Sequence, residues 1–92
     1  MYTILTVHVG HGAGEHIHRE RSIFAVEGDS PKLIGCYEKL RENPETWLSE
    51  NKWLVRPISI GTAEQPPEGA LVLQNEMLPE PGLALLIIDR LH

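Results

Sequence analysis

Residues 2–9 read Tyr-Thr-Ile-Leu-Thr-Val-His-Val. β-branched residues dominate this stretch, and they pack better on a pleated surface than along a helix. Strand alternation puts Thr3, Leu5, Val7 and Val9 on one face, and Tyr2, Ile4, Thr6 and His8 on the other. Residues 10–15, Gly-His-Gly-Ala-Gly-Glu, hold three glycines in six positions and read as a turn. Residues 16–27 read as a second strand, strongest over 22–26. The simplest connection between the two is an antiparallel hairpin.

Downstream of the hairpin, Gly28-Asp29-Ser30-Pro31 announces a helix. Asp29 or Ser30 is suited to capping free backbone N–H groups, and Pro31 fits the first helical turn. Leu33, Ile34, Tyr37 and Leu40 recur at helical spacing with Cys36 beside them, so they form the expected buried stripe. Asn43-Pro44 interrupts the pattern, and a second short helix is expected through Trp47 and Leu48. Residues 53–60 turn extended. Pro57 has no N–H for a ladder, so this strand belongs at an edge or carries a bulge. Residues 61–69 read as a loop and 71–73, extending towards 77, as a fourth strand. Pro81-Gly82 suits the centre of a type II turn, and residues 83–89 read as a fifth, apolar strand. The expected fold is α+β: a mostly antiparallel sheet of about five strands, in the sequence order ββ-α(α)-βββ, with one or two helices on one face.

The bulk numbers bound this reading. The chain has 92 residues, 41% of them hydrophobic and 23% charged, which suits one globular domain over 1–92. Its longest aliphatic run, 83–88, is far short of the roughly 20 residues of a membrane helix. Eight Lys and Arg against thirteen Asp and Glu give a net charge of −5. The basic residues are scattered in sequence, so neither nucleic acid nor a membrane is expected as a partner. A single cysteine, Cys36, and no visible signal peptide give a cytoplasmic expectation.

One chemical cluster stands out. Four of the five histidines, His8, His11, His16 and His18, fall within eleven residues. His16 and His18 share one strand face, about 6.6 Å apart along it, and Glu20 continues that face. Two imidazoles and a carboxylate make a facial set for zinc or another divalent metal. Pairing around the glycine turn is expected to bring His8 towards His16 or His18, with His11 riding on the loop. Arg19 and Arg21 point the other way, with Ile17. A plain solvated hairpin, and a pH-sensitive patch of imidazoles, are the alternatives to a metal site.

The stretch from Gly10 to Gly28 resembles the first metal motif of the cupins: a glycine, five residues, His16-Ile17-His18, and a closing Gly28. The resemblance implies a small β-barrel whose metal is held by His16 and His18. It stops at the glutamate. Ser22 and Ile23 occupy its usual positions, Glu20 comes too early, and the family's second motif is absent. No family is assigned on this basis.

Other chemistry is incomplete. The glycines of 10–14 lack the Lys-Ser/Thr of a phosphate loop. Cys36 falls on the apolar side of the helix, where it reads as a buried thiol. Trp47 and Trp53 flank the helix-to-strand junction, as core residues or as a partner-binding anchor at Trp53. With no complete catalytic constellation visible, the leading expectation is a small acidic binding or regulatory module. It would act through protein contacts, as a homodimer with Trp53 near the interface. The alternative is a metal-binding protein or metal-dependent enzyme using His8, His16, His18 and Glu20.

Overall fold

The computed structural model describes residues 1–13, 16–42 and 53–78; for 11–13, 16–19, 53 and 54 the description covers the backbone alone. Strand β1, Tyr2–Ala13, pairs antiparallel with β2, His16–Glu27. The ladder runs without interruption from Tyr2↔Glu27 to Ala13↔His16. It is longer than the glycines at 10 and 12 suggest. Position 10 is held on both sides, by Arg19 of β2 and by Leu54 of the next strand, and this pairing outweighs glycine's poor strand preference. His11 therefore sits in the ladder rather than on a loop.

Strand β3, Trp53–Ala63, pairs antiparallel with the other side of β1. The register slips between Thr6 and Val7: Thr6 faces Ser59 and Val7 faces Pro57. Ile58 is the extra residue and is 41% exposed. Among the described strands Pro57 thus sits both at a sheet edge and at a bulge, where its missing N–H does least damage to the ladder.

Helix α1, Pro31–Glu42, lies between β2 and β3 in sequence. It forms the crossover between two strands that run the same way on either side of β1. The fourth strand, β4, Leu71–Leu73, pairs parallel with β2, from Phe24↔Leu71 to Val26↔Leu73. The order is β3-β1-β2-β4. Over the described residues the sheet is therefore mixed and four-stranded, not a mostly antiparallel sheet of about five. The reason lies in the link 64–70, which carries the chain from one edge of the sheet to the other instead of closing a hairpin. It ends in a turn with Ala70 N–H donating to Pro67 C=O (3.1 Å) and Gly69 at φ +82°, the backbone of a type II turn. The strand does not continue towards 77: a 3-10 turn, Asn75–Met77, follows. The expected second helix, the Pro81-Gly82 turn and the fifth strand lie outside the described residues. Among the described residues the sheet has β3 and β4 at its edges and does not close into the barrel that the cupin resemblance implies.

The core lies on one side of the sheet. Leu5, Val7, Val9, Phe24, Val26 and Val55 face Leu33, Cys36 and Leu40 of α1, and Leu73 and Leu78 extend the cluster. Tyr37 packs against it, but Ile34, expected in the stripe, is 39% exposed. At 3.6 residues per turn, Leu33, Cys36, Tyr37 and Leu40 cluster around one direction, and Ile34 points about 100° away from Leu33.

The start of α1 is fixed by hydrogen bonds to distant parts of the chain. Gly28 adopts φ +78° and donates its N–H to Met1 C=O (2.8 Å). Thr3 Oγ1 donates to Gly28 C=O (2.7 Å) and accepts from Ser30 N–H (3.2 Å), which satisfies a hydroxyl buried in the apolar phase of β1. Ser30 Oγ accepts from Leu33 N–H (3.2 Å), so Ser30, rather than the exposed Asp29, is the cap.

Candidate functional site

The histidine positions fall differently from the sequence expectation. His8 pairs with Arg21 on β2 and Arg56 on β3. His11 is the residue opposite His18, and His16 lies opposite Ala13. Alternation along the ladder puts positions 11, 16, 18 and 20 in phase with Val9, and position 8 in the opposite phase. His8 is therefore on the other face of the sheet from the positions of His16, His18 and Glu20, and the register does not bring it to them. The side chains of His11, His16 and His18 lie outside the described residues. Among the described residues, no group of three or more His, Cys, Asp or Glu is placed to hold a metal. Trp53 opens the edge strand β3 opposite His11; its side chain, too, lies outside the description. Cys36 is buried on the inner side of α1 and is in no disulfide, as its place on the apolar stripe implies.

The sheet face away from α1 has a different character. Its middle holds Ile4, Thr6 and Ile23, all partly exposed, with Ala25 fully buried among them and Val72 53% exposed. At one end, Arg56, His8 and Arg21 stand side by side on three adjacent strands, all exposed. The position of Arg19 continues the same phase. Strands are spaced about 4.8 Å apart, so the two guanidiniums start about 10 Å apart with an imidazole between them. At the other end, the exposed Glu27 pairs with Tyr2. Here a half-open concavity of about 550 Å³ is lined by Tyr2, Glu27, Val72, Leu73, Gln74, Asn75 and Glu76. From Arg21 to Glu27 is six residues of strand, about 20 Å.

The face thus runs from cationic through apolar to acidic. In sequence its arginines are scattered, and only the shared phase of Arg19 and Arg21 is visible by alternation. Placing Arg56 beside His8 requires the β1–β3 register, and that register includes a bulge that Pro57 signals without fixing which residues pair across it.

Compared with family models, with curated proteins and with solved structures, the chain matches none of them.

Proposed function

We propose that this chain is a small acidic binding or regulatory module that works through protein–protein contacts made by the sheet face away from α1. One observation carries the reading. Among the described residues, α1 and the core cluster occupy one side of the sheet, while the other presents the partly exposed Ile4 and Ile23 and the exposed Val72 between an arginine-rich end and an acidic end. Apolar surface rimmed by charge is the usual composition of a protein contact, and Arg is enriched at such contacts. No catalysis is needed for this role.

A photo-crosslinking residue at Ser59, exposed within this face, tests the reading in the native cell. The same residue at Glu38, exposed on α1, serves as the control. Protease-sensitive adducts should form at 59 in clear excess over 38. Equal yields, or adducts removed by nuclease instead, would overturn it.

A second reading rests on the register of His11 against His18. Positions 11, 16, 18 and 20 share one phase towards the end of the hairpin where the chain reverses, so a zinc site there would use His11 in place of His8. This is a proposal about positions, and zinc titration tests it.

A further inference from the structure

The exposed sheet face is charge-complementary to itself, and we infer that its occupant is a second copy of this chain, packed face to face about a two-fold axis. The inference rests on the protein-contact reading above and names the partner.

The geometry follows from the register. On β2, Arg21 and Glu27 lie equally far on either side of position 24, and Ile23 and Ala25 flank that position on the face away from α1. Position 24 pairs with Leu5 on β1, and His8 and Tyr2 lie equally far on either side of Leu5, with Thr6 and Ile4 between them. Consider a two-fold axis lying in the plane between two such faces, perpendicular to the strands, at this level. It sets Arg21 over Glu27 of the second copy and His8 over Tyr2. It also sets Ile23 over Ala25, and Thr6 over Ile4. Each contact occurs twice, as an isologous interface requires. The exposed Arg21 and Glu27 are thereby paired in both copies, and the partly exposed Ile4 and Ile23 between them are covered.

The alternative axis, parallel to the strands, would put arginines on arginines and is rejected by charge. Aligned packing of two sheets leaves about 10 Å between them, enough for one interdigitated layer of Ile, Val and Thr side chains. A guanidinium set against a carboxylate and a tyrosine ring gains a charge-assisted hydrogen bond and a cation–π contact. The concavity lined by Tyr2, Glu27 and Glu76 gives the incoming Arg21 a recess.

The test uses the full chain and three variants, Arg21→Glu, Glu27→Arg and the double swap, in sedimentation velocity over a dilution series. All the substituted side chains are exposed, and circular dichroism checks the fold of each variant. The unmodified chain should dimerise at micromolar concentration, more weakly as salt rises. Each single reversal strikes two symmetric contacts and should weaken association by about tenfold or more, while the swap should restore it. A chain that stays monomeric throughout overturns the inference. So does a dimer indifferent to both reversals, which would point instead to pairing through the β3 edge near Trp53. A swap that fails to rescue overturns it as well. If the chain is monomeric but Ser59 still crosslinks to a different protein, the protein-contact reading stands and only the second-copy inference falls.

Discussion

Ser30 Oγ donates a hydrogen bond of 2.6 Å to Asn75 Oδ1, 45 residues away in sequence. The same oxygen caps α1 by accepting from Leu33 N–H. One fully buried hydroxyl therefore joins the helix start to the turn that follows β4. Replacing Ser30 with Ala should cost about 1–2 kcal/mol, since a cap is lost and Asn75 loses its donor. Asn75→Ala should cost less, because Ser30 still caps. Chemical denaturation of both single variants and the double variant should give a coupling of at least about 0.5 kcal/mol. Additive losses would show that the two residues act independently.

The phase of α1 gives a paired prediction. Leu40 is fully buried, whereas Ile34 is 39% exposed. Leu40→Ala should destabilise by about 2–5 kcal/mol, and Ile34→Ala by much less. Equal losses in thermal or denaturant unfolding would contradict the observed stripe.

Two glycines should respond with opposite signs. Gly28 holds φ +78°, so Gly28→Ala should cost about 1 kcal/mol through backbone strain, although nothing crowds a Cβ there. Gly35 lies inside α1, exposed, with open space where a Cβ would go. Gly35→Ala should stabilise by about 0.5–1 kcal/mol through helix propensity and reduced freedom of the unfolded chain. A shared sign in the two melting-temperature shifts would refute this account.

Zinc titration followed by histidine ring resonances separates the two faces of the hairpin. If zinc binds, signals of His11, His16 and His18 should move together at equimolar metal, and those of His8 should not. His8→Ala should leave the zinc affinity unchanged. Movement of His8 alone, or of no ring, removes the proposed metal site.

Local pattern made much of the fold legible. Alternation over 2–9 grouped Thr3, Leu5, Val7 and Val9 on one face, and the structure buries that face. Ser30-Pro31 marked the helix start because capping depends on side chains close in sequence. Pro57 marked an irregular edge because its missing N–H is a property of the residue itself. Alternation also separated Arg19 and Arg21 from His16 and His18, a distinction the register bears out.

The sequence by itself determined the elements of the hairpin, the helix and the edge strand, because each depends on contacts within a few residues. The tertiary structure alone decided which elements became neighbours. The parallel pairing of β4 with β2 depends on where the link 64–70 delivers the chain. The extension of β1 through Gly10 depends on partners on both sides, and through Gly12 on β2 alone. His8 left the histidine group and joined Arg21 and Arg56 because register, not sequence distance, sets cross-strand neighbours, and a one-residue difference in phase moves a side chain to the opposite face.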